Sequence, residues 1–166
     1  MQNLILIVAQ GFGLGRIPVA PGTFGSLGGV LWLMLLLQTG SPALVVCGLL
    51  GGVLLSVWIC GSGEKILLQK DPSSIVLDEI IAVPLGFMPW VISETVRQGR
   101  LPEPAFLIED QGWLGTLILF ALFRVFDIAK PWPVGASQKL HGGWGVTMDD
   151  VLAALYVALV SLVFVL

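Results

Sequence analysis

The side chains in this sequence that could do chemistry are mainly carboxylates placed beside apolar segments. Asp149 and Asp150 stand directly before an apolar run that extends to Leu166, and His141 precedes them in a glycine-rich stretch. A charged side chain at the centre of a bilayer costs about 2.5 to 3.5 kcal/mol on insertion scales. Acids at the start of such a segment therefore indicate a functional site.

Carboxylates also outnumber basic residues in the polar clusters of the chain. Two carboxylates about 4 Å apart repel by about 4 kcal/mol at an effective dielectric constant of about 20. A divalent cation would relieve that repulsion, and oxygen ligands in a chain with a single histidine favour Mg²⁺ over Zn²⁺. The acids concerned are Asp78, Glu79, Asp127, Asp149 and Asp150, and the bases are Arg16, Arg124 and Lys130.

A glycine-rich segment, residues 11–26, leads into the first long apolar segment and could bind phosphate. Glycines allow close backbone approach, and the free N–H groups at a helix start favour an anion. The segment is neither a Walker loop nor a dinucleotide fingerprint, because the chain has no Gly-Lys pair and Arg16 replaces the third glycine. The alternative is an ordinary helix start capped by Thr23 or Ser26.

A basic motif follows in the second half of the chain. Arg124, Asp127 and Lys130 recur every third residue, which places them along one face of a helix that ends before Pro131. They could contact a phosphate group, or they could form a buried ion pair that holds helices together. His141 could carry a proton near neutral pH, and a hydrogen-bonded structural role is its alternative.

The elements that must position these residues are membrane-spanning helices. Of the 166 residues, 56% are hydrophobic and 11% are charged, and the mean hydropathy is +0.95. Soluble domains are about 25% charged. The predicted fold is an all-α polytopic membrane helix bundle with about four to five spans, in a single domain, residues 1–166. The spans are predicted over residues 24–37, 43–60, 112–129 and 151–166.

Two further apolar segments differ from these four spans. Residues 75–92 are apolar but contain Pro84 and Pro89, which predicts a kinked or re-entrant helix with its acids near one end. The apolar run at residues 4–9 is too short to span and is expected to lie at the membrane interface.

The distribution of basic residues predicts how the bundle is oriented, because cytoplasmic loops carry the excess of Lys and Arg. The loop at residues 93–111 contains four acids and is expected to be external. The four polar clusters that contain the candidate site residues then share the cytoplasmic side, which predicts one site. These clusters are residues 11–26, 78–79, 124–133 and 141–150. No nucleic-acid partner is expected without a basic stripe, and the oligomeric state stays open. The bases on the cytoplasmic side include Lys65, Lys70, Lys130 and Lys139.

The motifs together resemble the phosphatidylglycerophosphatase A family. The likeness covers nearly the whole chain, from residue 6 to residue 160, and its four motifs keep their order and approximate spacing. They are Pro21-Gly-Thr-x-Gly-Ser26, Asp78-Glu79, Phe123-Arg-x-Phe-Asp127-x-x-Lys130-Pro-Trp-Pro133 and His141-Gly-Gly-x-Gly-x-x-x-Asp149-Asp150.

The resemblance implies a multi-pass enzyme of the bacterial inner (cytoplasmic) membrane with its active site on the cytoplasmic side. Its reaction would be the Mg²⁺-dependent removal of the terminal phosphate of a phospholipid, phosphatidylglycerophosphate, to give phosphatidylglycerol. The expected metal ligands are Asp78, Glu79, Asp149 and Asp150, and the catalytic set adds Asp127 and His141. The expected phosphate contacts are Arg16, Gly22, Thr23, Gly25, Ser26, Arg124 and Lys130.

The residues that three other phosphatase mechanisms require are absent from this sequence. Val53 and Ile66 stand where a cysteine phosphatase needs an arginine, a two-histidine mechanism is excluded, and no Asp-x-Asp pair occurs. Attack by water with metal assistance remains, and a carboxylate or His141 would take the proton. The alternative function is a membrane transporter or binding protein for an anionic, phosphate-bearing solute. A transporter would have broken helices and a binding site near the bilayer midplane.

Overall fold

The computed structural model describes the backbone of residues 2–165 and the side chains of residues 2–162. This part of the chain is all helical, and five of its helices are long and apolar enough to cross a membrane, which confirms the predicted all-α membrane bundle. In chain order the helices are α1 (Gln2–Ala9), a 3₁₀ helix (Gly11–Arg16), α2 (Pro21–Gln38), α3 (Pro42–Leu67), α4 (Leu77–Gln98), a second 3₁₀ helix (Pro104–Leu107), α5 (Gly112–Ala129), α6 (Val134–Ser137) and α7 (Gly143–Val165).

The long helices alternate in direction, so the polar segments gather at two opposite ends of the bundle. One end holds the starts of α2, α4 and α7 and the ends of α3 and α5, whose residues line shared cavities. We call it the site end. At the other end, the turn after α2 lies beside the segment that follows α4. The four sequence clusters that were predicted to share one side all lie at or next to the site end.

Helix α4 is the centre of the bundle and packs most extensively against α7 and then α2. Small residues allow these close contacts, as is usual for helices in lipid. A Cβ at Gly86 would lie 3.1 Å from the Val157 side chain of α7, and one at Gly29 of α2 would lie 2.6 Å from Val83. Between α3 and α7, the hydroxyls of Ser56 and Thr147 are hydrogen bonded at 3.1 Å in the buried interior.

Two predicted boundaries are wrong, and glycine packing explains both. Helix α3 does not end near residue 60 but continues to Leu67. Gly61 lies against the start of α7, where a Cβ would be 2.6 Å from the Gly143 nitrogen, so this glycine serves a helix contact and not a loop. Helix α7 accordingly begins at Gly143, and Asp149 and Asp150 lie inside it instead of in the preceding loop.

The proline-containing segment forms one continuous helix. Pro84 and Pro89 both lie inside α4, which runs on to Gln98. Its 22 residues span about 33 Å at about 1.5 Å per residue, enough for the hydrocarbon core of a bilayer. The two acids of this segment, Asp78 and Glu79, lie in its first turn, as predicted.

Candidate active site

A cavity of about 260 Å³ opens at the site end, where α2, α4 and α7 begin and α5 ends. We call it the acid cavity. It is smaller than the roughly 300 to 1,000 Å³ typical of drug-sized ligands, so it suits a polar headgroup and leaves acyl chains outside. Its charged lining residues are Asp71, Asp78, Glu79, Arg124, Asp127, Lys130, Asp149 and Asp150.

The first two turns of helices α4 and α7 place the two acidic pairs in this cavity. Asp78 and Glu79 lie in the first turn of α4, where the positive end of the helix dipole favours carboxylates. Asp149 and Asp150 lie in the second turn of α7, about 9 Å along its axis from Gly143. Asp78, Asp149 and Asp150 are no more than 5% exposed. Buried carboxylates so close together need a compensating positive charge.

Arg124 supplies part of that charge. Its Nη1 donates to Asp127 Oδ2 at 2.6 Å and to Glu79 Oε1 at 3.1 Å, and more weakly to the Ser26 hydroxyl at 3.3 Å. The ion pair that the sequence left as an alternative is therefore present. It is incomplete, because Glu79 Oε2 and Arg124 Nε are both buried without a hydrogen-bond partner. Both atoms are buried, and the Glu79 oxygen lies against Gly25 of α2.

Lys130 supplies a second positive charge at the end of α5. It adopts a left-handed backbone, φ 43°, which ends the helix before Pro131. Its Nζ donates to Asp149 Oδ2 at 2.6 Å. Partial burial by itself lowers the pKa of Lys130, but the hydrogen bond and the negative charge of Asp149 outweigh it and raise the pKa above its ordinary value. Lys130 is therefore positively charged at neutral pH.

Three acids of the cavity, Asp71, Asp78 and Asp150, form no ion pair with any residue that the structure describes, and of these Asp78 and Asp150 are buried. Among the side chains of residues 2–162, no group of three or more His, Cys, Asp or Glu residues is placed to hold a metal ion. The donors that face the cavity are nevertheless all carboxylate oxygens, and the Glu79 oxygen is unpartnered. Their chemical type fits Mg²⁺, which prefers few carboxylates and retains several waters.

The start of α2 completes the cavity wall. Ala20 precedes the helix in a left-handed conformation, and no side chain caps it, so the alternative of an ordinary start capped by Thr23 or Ser26 is not observed. Pro21 has no N–H group, and the Thr23 and Phe24 N–H groups donate to the Ala20 carbonyl, so Gly22, which lines the cavity, offers the remaining N–H group of the first turn. Ser26 instead donates to the Gly22 carbonyl at 2.8 Å. This arrangement suits an anion.

Gly25 is required because Glu79 occupies the space that a side chain would need. A Cβ there would overlap Glu79 Oε2 and lie 2.8 Å from Val76 Cβ. We expect Gly25→Ala to lower the free energy of unfolding by about 1 to 3 kcal/mol, the usual cost of overpacking. Gly51→Ala is the matched control, because nothing lies within 4 Å of a Cβ at that position of α3. Denaturant unfolding in detergent measures both, and equal stabilities would contradict the close packing on Glu79.

Five predicted site residues do not line the acid cavity. Arg16 is exposed, and its Nε donates to Gln10 Oε1 at 2.7 Å. His141 is exposed and lines a neighbouring cavity, and Thr23 does not line the acid cavity. Gly25 and Ser26 lie behind Glu79 and Arg124 as packing partners.

Two residues of the site were missed from the sequence. Asp71 lines the acid cavity from the loop before α4. Gln138 donates from its Nε2 to Asp149 Oδ2 at 2.9 Å and to Asp71 Oδ2 at 3.2 Å. An acid shortly before Asp78-Glu79 was a usable signal for Asp71. A lone glutamine offered none.

Comparison of the sequence with known proteins finds relatives along nearly the whole chain. The family model for phosphatidylglycerophosphatase A matches residues 7–165. The chain is 36% identical to phosphatidylglycerophosphatase A of Haemophilus influenzae, over 96% of this chain and 88% of that protein. It is 32% identical to phosphatidylglycerophosphatase A of Escherichia coli K12, over 93% and 80%. It is also 35% identical to a candidate phosphatidylinositol-3-phosphatase of Bacteroides thetaiotaomicron, over 92% and 88%. No solved structure matches the chain.

Proposed function

The chain belongs to the phosphatidylglycerophosphatase A family of phosphoric monoester hydrolases, and we propose that it removes the terminal phosphate of phosphatidylglycerophosphate with the assistance of Mg²⁺. The observation that carries the proposal is the acid cavity. It combines carboxylates without ion pairs, an unpartnered oxygen of Glu79 and two basic side chains in a space of headgroup size. The product would be phosphatidylglycerol, left in the membrane.

The basic side of the cavity would hold the phosphate. The side chains of Arg124 and Lys130 line this side of the cavity, and Gly22 lies beside them at the start of α2. Charge-assisted hydrogen bonds from such donors to phosphate oxygens are roughly twice as strong as neutral ones. The same contacts would strengthen as negative charge develops in the transition state.

The acidic side of the cavity would hold the metal and accept a proton. Asp78 and Asp150, with Glu79 and Asp149 beside them, are the residues that would bind Mg²⁺. When bound, Mg²⁺ would polarise the phosphoryl oxygens and acidify a water molecule. Because His141 lies outside the cavity, a carboxylate oxygen is the better proton acceptor. The water oxygen bonds to phosphorus, the bond to the headgroup oxygen breaks, and that oxygen takes up a proton.

A series of three lipids tests the substrate. Purified protein should release phosphate fastest from phosphatidylglycerophosphate and slowly from phosphatidic acid, which has no second phosphate. Phosphatidylinositol 3-phosphate is the substrate of a second candidate function, favoured by the name of the Bacteroides relative. A higher specificity constant for that lipid would replace the first proposal, and equal constants for all three would broaden the function to a general lipid phosphatase.

The location of the charges also counts against the transporter alternative. The acid cavity lies at helix ends on one face of the bundle, where a headgroup can enter from the interface. A carrier for an anionic solute would need its site near the midplane, between broken helices. The five long helices are each continuous in the described residues.

We further propose that the site end faces the cytoplasm of a bacterium, because all four Lys residues of the chain lie there. In a protein without Cys47 and Cys60, a single cysteine at Gln69 or Ala136 should resist an impermeant thiol reagent added to intact cells. A cysteine at Gln98 should react. All three positions are exposed. Labelling of the first two from outside would place the acid cavity on the external face.

A further inference from the structure

A second cavity, of about 630 Å³, adjoins the acid cavity at the site end. It lies between the end of α3 and the segment that leads into α7. Lys65, Lys70 and Lys139 line it together with His141, so we call it the lysine cavity. Its acidic lining residues are Glu64 and Asp71. No part of the catalytic arrangement described above uses the three lysines.

These lysines are not neutralised by neighbouring acids. Of the eight Lys and Arg residues in the chain, Arg97, Arg100, Arg124 and Lys130 form ion pairs. Among the residues with described side chains, the other four form none. Three of those four line the lysine cavity.

The two acids of the lysine cavity each accept a hydrogen bond from another residue of the same cavity. Glu64 Oε1 accepts a hydrogen bond from the Asp71 backbone N–H at 2.8 Å. Asp71 Oδ2 accepts from Gln138 Nε2 at 3.2 Å. The cavity therefore presents three ammonium groups without ion pairs against two carboxylates, each with one oxygen already hydrogen bonded, and this excess of positive charge favours an anion.

The two cavities share a wall. Asp71 lines both of them, and Gln138 lines the lysine cavity while donating to Asp149 of the acid cavity. An anion held by the lysines would consequently be separated from a phosphate at Arg124 and Lys130 by the shared wall of Asp71 and Gln138. The two sites are arranged for two phosphate groups of one ligand, or for two separate phosphates.

We propose that the lysine cavity binds a second phosphate group next to the one that is hydrolysed. The inference rests on the proposed function and assigns to the lysines the headgroup contact that the sequence suggested for Arg16. Lysine binds phosphate as a point charge without a fixed geometry, which suits an open and exposed site. The phosphate comes either from the phosphodiester of the bound phosphatidylglycerophosphate or from free inorganic phosphate.

The test replaces all three lysines by glutamine and compares two lipids. If the lysines hold the phosphodiester, the KM for phosphatidylglycerophosphate rises by about tenfold, because exposed charged contacts are individually weak. The KM for phosphatidic acid stays the same. If they hold free phosphate, both KM values stay the same, and the binding of inorganic phosphate, measured by equilibrium dialysis, weakens by a similar factor.

The controls separate charge from folding and from general attraction to the membrane. A triple Lys→Arg variant should restore wild-type values, and Arg100→Gln, at the other end of the bundle, should change nothing. An equal KM rise on both lipids, or no change in KM and phosphate binding, overturns the inference. Failure of the wild-type protein to hydrolyse phosphatidylglycerophosphate would refute the proposed function instead, and the dialysis would still test the lysines.

Discussion

Replacing Asp150 by asparagine is expected to abolish phosphate release while the protein remains folded. Asp150 lies buried in the acid cavity and forms no ion pair with the described residues. The amide keeps the size of the side chain and removes its charge, so no basic partner is left unpaired. Loss of a metal ligand forfeits several kcal/mol of transition-state stabilisation, which corresponds to a rate decrease of about 1,000-fold or more. Asp78→Asn should behave in the same way.

The measurement has two parts, turnover and Mg²⁺ affinity. Asp150→Asn should retain the wild-type thermal transition in detergent and bind Mg²⁺ more weakly in a direct titration. Asp110→Asn is the matched control, because it removes the same charge at the opposite end of the bundle. Near wild-type turnover with an unchanged Mg²⁺ requirement in both Asp150→Asn and Asp78→Asn would show that the acid cavity is not the metal site.

Replacing Arg124 by glutamine is expected to destabilise the protein strongly as well as inactivate it. Its guanidinium pairs with Glu79 and Asp127, and its side chain is only 18% exposed. Breaking a buried ion pair leaves uncompensated charge and costs about 3 to 5 kcal/mol. The expected result is a large fall in the yield of folded protein, which the Asp150 variant does not show.

A double variant separates the two effects of Arg124. Adding Glu79→Gln to Arg124→Gln removes an acid together with its base, so part of the lost stability should return. Activity should not return, because both the phosphate contact and the metal-side oxygen are missing. If the single variant were as stable as the wild type, the ion pair would not support the fold. If the double variant recovered activity, neither residue would belong to the site.

Much of this architecture follows from sequence periodicity and composition alone. The span predicted at residues 112–129 matches α5, and the acids of the proline-containing segment lie at its start as expected. Both rest on local rules, since apolar length determines a span and helix periodicity determines which side chains share a face. The four motifs of the family resemblance predicted which other residues along the chain belong to the site.

Contacts between distant residues could not be read from the sequence in the same way. The pairing of Arg124 with Glu79 joins residues 45 positions apart and depends on how α4 and α5 pack. Gly61 follows the span predicted at residues 43–60 but still lies in helix α3, and its missing side chain makes room for the start of α7. Arg16 and His141 carried suitable chemistry, and only the packing of their segments places them outside the acid cavity.

The central claim is that the acid cavity makes this protein a Mg²⁺-dependent phosphatase for phosphatidylglycerophosphate. The most direct measurement is the rate of phosphate release from that lipid by purified protein as free Mg²⁺ is varied. We expect a rate that is negligible in chelator, rises to saturation with Mg²⁺ and stays negligible for Asp150→Asn at every concentration. The same rate with and without chelator, or no release at saturating Mg²⁺, would contradict the claim.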